Sequence, residues 1–408
     1  MKAEAVDVCE ALEGLGIACD ASIAPIALPE NEEQAQQVML LAGQQDWRVL
    51  PVGFGGQLPH VQPDAAAFDL WLSTRCMEKV VLYEPGEATI SVQPGVLWQD
   101  VQELVDRNRQ CISPTLHTGV SHTVGGVIAA GFSGLDRPLF GALRHQVLGM
   151  RILMADGSIA ITGGRLVKNV AGFDLHRLHT GGRGQLGMIL EASLRLHNRP
   201  KDTAHLSREY DSTEAGVAAV RRLHSSRLPG CALLLQISAE GKSLLSCGIQ
   251  GSAGLVEDGQ RTAALAMDFE VKLRGAEATR ERTGLLSAFE LGPCEPWLSI
   301  TCQPTAIEEV QQLVWGWLGD RDLLVSGLLQ PDVAHWLLKL EGAQFPDGSA
   351  LLALRGELGA MGAVLSVRGA LCSRVRNAGV QTSGPLQQTV EALRQQFDPN
   401  NRFQPRQT

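Results

Sequence analysis

The 408-residue sequence predicts an α+β protein of two domains. In "KVVLYEPGEATISVQPGVLWQDVQELVDRN", residues 79–108, a strand, a Pro-Gly turn, a second strand, another turn and a helix follow one another. "HQVLGMRILMADGSIAITGG", residues 145–164, reads as a hairpin across Asp156-Gly157. In the second half strand runs alternate with helical runs: "CALLLQIS", "SLLSCGIQ" and "LVEDGQRTAALAMD", later "WLSITCQ" and "AIEEVQQLVWGWL". That mix suits an antiparallel sheet covered on one side. The length argues for about two domains. Composition shifts at "HNRPKDTAH", where Pro200 follows a polar patch, and the boundary is placed there: 1–200 and 201–382, with a tail at 383–408.

The remaining elements follow in order. Residues 4–15 and 32–46 read as helices, the second entered after Pro29 with acids near its N-terminus. "WRVLPVGFGGQL" is a short apolar run ending in a glycine-rich turn. Ala88–Val92 alternates as a strand, and Val96, Val101 and Leu104 supply part of an amphipathic helix face. Residues 111–134 read as an irregular Gly/Ser/Thr/His stretch, "FDLHRLHTG" as one or two helical turns, and "LGMILEASLRL" as a strand. "PLQQTVEALRQQFDPNNRFQP" reads as a helix stopped by Asp398-Pro399. No internal repeat is visible.

Bulk properties exclude several classes. A net charge of −9 argues against a phosphate-backbone-binding surface, so nucleic acid is not an expected partner. The nine cysteines show no C-x-x-C spacing, which disfavours an iron–sulfur cluster or zinc ribbon, and no metal is expected. Their odd, scattered distribution suits reduced thiols. The start lacks the basic and apolar regions of a signal peptide, and the most apolar tract, 349–372, is broken by Arg355, Glu357 and Arg368. The expectation is a soluble, cytoplasmic chain.

Three glycine-rich loops crowd the first half. Gly182-x-Gly184-x-x-Gly187 has the spacing of a Rossmann dinucleotide fingerprint, which needs a strand before it and a helix after it. Here the order is reversed, so the Rossmann reading fails. "PVGFGGQL" (51–58) follows a strand, and its successive N–H groups can form an anion-binding concavity. "HTVGGVIAAG" (122–131) carries small side chains that permit close backbone approach to a flat or charged ligand. Singly, either loop is equally well an ordinary tight turn. Together the three point to a site for a large ligand.

At these residues the chain resembles FAD-linked oxidases of the vanillyl-alcohol-oxidase, or PCMH, superfamily. "VLPVGFGGQL" is similar to that family's pyrophosphate loop and "TISVQPGVLWQDVQELV" to its strand–turn–helix. "SHTVGGVIAAGFSGLDRPLFGALRHQVLGMRILMADG" resembles its second FAD-contacting stretch, and "VKNVAGFDLHRLHTGGRGQLGMILEASLRL" a further typical segment. "LRQQFDPNNRFQP" resembles its usual ending. "KNVAGFDL" and the modest length look most like the FAD-binding E subunits of bacterial glycolate oxidases. The resemblance is strong over roughly 25–200, weak over 205–380, and returns at the tail.

The resemblance implies a PCMH-type FAD-binding domain of two α+β subdomains, then an α+β cap domain with an antiparallel sheet, and a tail returning to the FAD domain. It implies non-covalent FAD. Gly53, Phe54, Gly55, Gly56, Gln57 and Leu58 would form the pyrophosphate loop. Pro114, Gly119, Thr123, Val124, Gly125 and Gly126 would line the flavin with Gly131 beside it, and Gly184, Gly187 and Ile189 would close on it. No catalytic residue is assigned. The implied function is an FAD-binding subunit of a glycolate (2-hydroxyacid) oxidase complex that relays electrons toward an iron–sulfur partner. Its partners would be a catalytic D-like flavoprotein and an iron–sulfur subunit, with peripheral attachment at the inner membrane through the complex. The alternatives are a self-sufficient FAD-dependent dehydrogenase of a small hydroxy acid or alcohol, and a structural subunit that has lost flavin.

The departures are specific. Val52 stands where many relatives have Arg, Phe54 and Gly56 replace a Gly and a Thr, and Phe54 occupies a turn where φ is expected to be positive. The second half lacks the His-rich motif of the catalytic D-type subunits, so a substrate-oxidising site of that type is not expected. Single residues have plainer readings beside the functional ones. His117 and His122 could act as acid–base groups or serve loop polarity, the latter favoured. His176 and His179, at i and i+3 near Asp174, read as a solvated helix face rather than a metal site. Arg137, Arg144 and Arg151 could bind a carboxylate, or two of the three could make structural ion pairs. Lys168-Asn169 matches the family with a structural role, and Trp315 and Trp317 read as core.

Overall fold

The computed structural model describes residues 5–20, 24–55, 67–116, 121–132, 134–165, 173–225, 228, 231–267, 270–275, 277–278, 296–342, 344–368, 371 and 385–405. The chain divides into two compact units, one of residues 1–58, 64–199 and 382–408 and one of residues 59–63 and 200–381.

The first unit holds two sheets. Helix α1 (Ala5–Glu13) precedes strands β1 (Ala18–Asp20) and β2 (Ile26–Leu28), then helix α2 (Glu32–Gln44), β3 (Val49–Val52) and β4 (Leu70–Ser73). Their order is β1-β2-β4-β3, parallel except for β1. The α2 entry is set by Asn31, whose side chain accepts from the Gln34 N–H at 3.0 Å, with Glu32 and Glu33 in the first turn. Val38, Met39 and Ala42 of α2 pack on Val49, Leu70 and Leu72. Cys9 and Cys19 form a disulfide between α1 and β1. This corrects the expectation of nine reduced thiols: the helix-to-strand reversal brings together two cysteines that the count alone left unpaired.

The second sheet contains β5 (Val80–Glu84), β6 (Thr89–Val92), β8 (Val147–Leu153), β9 (Ile159–Gly163) and β10 (Met188–Arg195), in the antiparallel order β5-β6-β10-β8-β9. Between them, β7 (Gln110–Cys111) pairs with β11 (His197–Asn198). The β8–β9 hairpin turns where Asp156 accepts from the Ser158 N–H at 2.9 Å. Helices α3 (Trp98–Asp106) and α4 (Val124–Ala130) cover one face, with Trp98, Val101, Val127 and Ile128 against Ile90, Met150 and Ile152. The stretch expected to be irregular therefore contains a helix. Thr123 caps it, accepting from Gly126 N–H at 3.1 Å, and Gly131 closes it at φ +64°. Two glycines at its start masked the helical pattern in the sequence.

The tail belongs to this unit. After helix Pro385–Phe397, buried Asp398 accepts from the Arg402 and Phe403 N–H groups at 2.5 and 2.8 Å. The Val49 N–H then donates to Arg402 O at 2.7 Å, and Phe403 sits in the α2–β3 core. The tail residues thus tie back to the start of β3.

The second unit is an eight-stranded antiparallel sheet, ordered β15-β12-β14-β13-β17-β18-β16-β19. Its strands are β12 (Asp202–Tyr210), β13 (Cys231–Ile237), β14 (Ser243–Gly251), β15 (Glu270–Arg274), β16 (Trp297–Thr301), β17 (Leu324–Gln330), β18 (His335–Glu341) and β19 (Val364–Arg368). Helices Thr213–Ser225, Ala253–Met267, Ile307–Gly319 and Gly348–Ala360 separate them. Each half reads strand–helix–strand–strand–helix–strand, and the halves join through β13 and β17, with Leu235 opposite Leu329. An internal repeat therefore exists, contrary to the sequence reading. It lies in topology, because different apolar residues fill equivalent core positions on the two halves. One apolar core, including Leu206, Leu235, Val314, Trp336 and Leu354, lies between sheet and helices, and Trp315 stacks near Trp336 at 5.6 Å.

Asp398→Ala leaves two buried N–H groups without their acceptor. The expected cost is about 2–4 kcal/mol, read as a lowered midpoint in chemical unfolding, with Asp398→Asn losing less.

Candidate functional site

The three glycine-rich loops meet around α4. Gly53 follows β3 and lies so close to Thr123 that a Cβ there would stand 2.5 Å from the Thr123 Oγ1. The Ser73 hydroxyl donates to Gly53 O at 3.2 Å and ties the loop to β4. Phe54 is half exposed, and the positive φ falls on Gly55 at +79°, so the strain expected at Phe54 does not arise. Gly56, Gln57 and Leu58 lie outside the described residues.

At the other end of α4, a Cβ on Gly131 would meet Gly181 Cα at 2.9 Å. The Gly181 and Arg183 N–H groups donate to Ile128 O and Ala129 O, each at 2.9 Å. The loop of Gly184 continues onto β3, where a Cβ on Gly184 would lie 3.3 Å from Pro51 Cβ. From the tail, Gln404 Nε2 donates to Gln185 O at 3.2 Å and Arg394 Nη2 to Gln185 Oε1 at 3.2 Å. Gly53 and Thr123, Gly131 and Gly181, and Gly184 and Pro51 are thereby neighbours, although more than 130 positions separate Gly53 from Gly184.

The N–H groups at the start of α4 are committed. Val124 N–H donates to Val96 O and Gly125 N–H to Pro94 O, both at 2.8 Å, and Gly126 N–H to Thr123 Oγ1. These three donors are thus spent within the protein. Pro114 is buried; its carbonyl accepts from Trp98 Nε1 at 2.9 Å. Buried Asp136 accepts from Thr115 N–H at 2.9 Å and fixes the segment beside Gly134. Gly119, His117 and Lys168-Asn169 lie outside the described residues.

Two predicted positions serve the scaffold. A Cβ on Gly187, at φ +154°, would meet Ile152 Cγ2 at 2.7 Å and Leu153 O at 2.9 Å, so strand β8 itself demands glycine there. Ile189 pairs with Ile152 and packs in the core under α3 and α4.

The histidine pair corrects the solvated-face reading. His176 and His179 are both buried, on helix Leu175–His179. Thr162 Oγ1 lies 3.5 Å from His176 Nδ1, and the His179 ring meets Phe397 edge-on at 6.0 Å. Burial in apolar surroundings pushes the His179 imidazole down to about 4. A helix of five residues turns both rings inward, which its i, i+3 spacing alone did not reveal. Of the three arginines, Arg151 makes a bidentate pair with Glu32 at 2.6 and 2.7 Å, joining the second sheet to α2. His122 packs on Phe132 at 5.4 Å.

The His179 environment predicts an acid-sensitive fold. Its folded-state pKa is depressed, so its contribution is present above the unfolded value near 6.5 and is lost as pH falls toward 4. The depression corresponds to about 3 kcal/mol, and a His179→Phe variant is expected to flatten the stability–pH curve over that window in denaturant titrations.

With this geometry in place, comparison with known proteins is informative. The family model described as "FAD binding domain" matches residues 23–163, which include β3, its glycine turn, α4 and the β8–β9 hairpin. Glycolate oxidase subunit GlcE of Escherichia coli is 37% identical over 147 residues, covering 35% of this chain and 41% of that protein. Glycolate oxidase subunit GlcD of Bacillus subtilis is 29% identical, covering 50% of this chain and 43% of that protein. D-lactate dehydrogenase [cytochrome] 1, mitochondrial, of Saccharomyces cerevisiae is 26% identical over 49% of this chain and 34% of its own length. The chain thus spans less than half the length of these curated relatives. Among solved structures, an alkyldihydroxyacetonephosphate synthase superposes with a TM-score of 0.68 at 16% identity, over 94% of this chain and 77% of the other, a likeness of fold. The family match and the glycine loops that meet around one helix agree: residues 23–163 are similar to an FAD binding domain, and FAD is the cofactor such a domain holds.

Proposed function

We propose that the chain is an FAD-dependent oxidoreductase subunit of a glycolate-type 2-hydroxyacid oxidase complex. The observation that carries this reading is the packing of Gly53 on Thr123 at one end of α4 and of Gly131 on Gly181 at the other, within or beside residues 23–163, which match the FAD binding domain model. Curated relatives named as glycolate oxidase subunits and a D-lactate dehydrogenase support hydroxy acids as the substrate class. In this reading Gly53 to Leu58 cradle the pyrophosphate, and Pro114, Gly119 and Thr123 to Gly126 line the flavin. Gly131, Gly184, Gly187 and Ile189 hold the adjoining backbone in place. Bound FAD would accept electrons released by 2-hydroxyacid oxidation in the complex and pass them on. The chain's own residues position it through backbone contacts and shield it with small side chains. A catalytic D-like flavoprotein oxidises the hydroxy acid, and this chain relays the electrons toward an iron–sulfur subunit. No helix among the described residues is long and apolar enough to cross a membrane, which suits attachment through partners.

The purified chain is expected to be yellow with flavin absorption bands, and glycolate or lactate added anaerobically is expected to leave it unbleached until the partner subunits are present. Bleaching of the isolated chain would instead make it a self-sufficient dehydrogenase, and a colourless folded chain that takes up no FAD would make it a structural subunit. Gly53→Val places methyl groups against Thr123, and overpacking of this size costs about 1–3 kcal/mol. The FAD dissociation constant is expected to rise roughly tenfold or more, measured by fluorescence titration.

A further inference from the structure

The core of the second unit holds two thiols that face each other. Cys231 opens β13 and Cys247 lies in β14, and the register sets Cys231 opposite Ile249 and Leu233 opposite Cys247. The two cysteines are therefore one diagonal step apart on neighbouring strands. Strand alternation sends both to the helix-covered face, into the core that also holds Leu233, Leu245, Val220 and Val256. Both are buried, Cys247 completely. Their sulfurs stand 2.9 Å apart.

That separation is short for two thiols and long for a bond. Non-bonded carbon atoms rest about 3.5–4.0 Å apart, and sulfur is the larger atom. Bonding resolves the contact with about 0.9 Å of approach. Moving apart instead meets close-packed neighbours: helix Ala253–Met267 presses on the same face, where a Cβ on Gly259 would stand 3.0 Å from Ile249 Cγ2. Cys111 and Cys302 have different surroundings, their Sγ atoms facing the carbonyl oxygens of Asn198 and Ala334 at 3.8 and 3.6 Å. In the first unit Cys9 and Cys19 are already joined, so thiol oxidation belongs to the chemistry of this chain.

We propose that Cys231 and Cys247 form a second disulfide, which staples β14 to β13, the strand on which the two halves of the sheet meet. The bond forms while the chain folds. β13 and β14 are consecutive, and in the turn between them Ser238 N–H donates to Lys242 O at 2.9 Å and Gly241 N–H to Ser238 O at 3.0 Å. This local hairpin pairs the thiols before helix Ala253–Met267 and the later segments cover them. The oxidant is a low-molecular-weight disulfide of the glutathione class. One cysteine thiolate attacks it, a mixed disulfide forms and one small thiol leaves. The second cysteine thiolate attacks the cysteine sulfur of that mixed disulfide, the protein S–S bond closes and the second small thiol leaves. The protein pair loses two electrons, the small disulfide gains them, and the two cysteine protons end on the two small thiols. Nothing in this step depends on the FAD reading.

The test refolds the reduced full-length chain, with FAD present, over a series of oxidised-to-reduced glutathione ratios. Remaining thiols are then capped with N-ethylmaleimide in denaturant, and the digest is read by mass spectrometry. The expected result is a peptide pair joining Cys231 to Cys247, two hydrogens lighter than its reduced components. Capping of both cysteines at every ratio, or linkage of either to a different cysteine, overturns the proposal. The second readout is the thermal midpoint before and after dithiothreitol, which also opens Cys9–Cys19. Reduction is expected to lower the midpoint of oxidised wild type by roughly 5–10 °C more than that of Cys231→Ala, in keeping with closure of a loop of about 15 residues. An equal drop in both overturns the stapling role. Cys247→Val replaces Cys231→Ala if that variant does not fold, and the peptide mapping needs no variant.

Discussion

The first unit depends on backbone approaching where no Cβ can fit. Gly53 against Thr123 and Gly131 against Gly181 bring chain segments to helix α4 at distances that a methyl group would forbid. Those approaches allow backbone hydrogen bonds from Gly181 and Arg183 to the Ile128 and Ala129 carbonyls at the end of α4. The glycine turn after β3, the short helix and the loop before β10 therefore form one assembly. The N–H groups that open α4 and those of Gly181 and Arg183 are spent within this assembly.

Longer-range ties keep that assembly in register. Arg151 and Glu32 link the second sheet to α2, Trp98 holds the Pro114 carbonyl, and the tail adds Gln404 and Arg394 to Gln185. The last residues also extend β3 through the Val49–Arg402 bond. The tail thus supports the strand that leads into the Gly53–Gly55 turn. The second unit is built on a different economy, a repeated strand–helix–strand–strand–helix–strand pattern joined edge to edge at β13 and β17.

Much of this was legible in the residues. Period-two runs and Pro-Gly or Asp-Gly turns specify β5, β6, β8 and β9 locally, because alternation and turn chemistry need no distant partner. The order helix, glycines, strand around Gly182–Gly187 ruled out a Rossmann site before any coordinates. Misreadings arose where the deciding contact is remote. Helix α4 was hidden by its two glycines, which are chosen for packing against Pro94 and Thr123 rather than for helix propensity. His176 and His179 were read as solvated because five residues do not reveal which face is covered.

By itself, the sequence determined the fold class, the sites of the turns and the glycine loops, since hydrophobic period and backbone freedom are local properties. Only the tertiary structure decided which glycines face a neighbour: Gly187 answers to Ile152 and Leu153, and Gly53 to Thr123. It also decided that Cys9 meets Cys19, that Phe173 stands exposed, and that the second unit repeats itself. Each depends on the approach of segments far apart in sequence or on the reversal of the chain between elements, and close packing records that approach in space rather than in any local pattern.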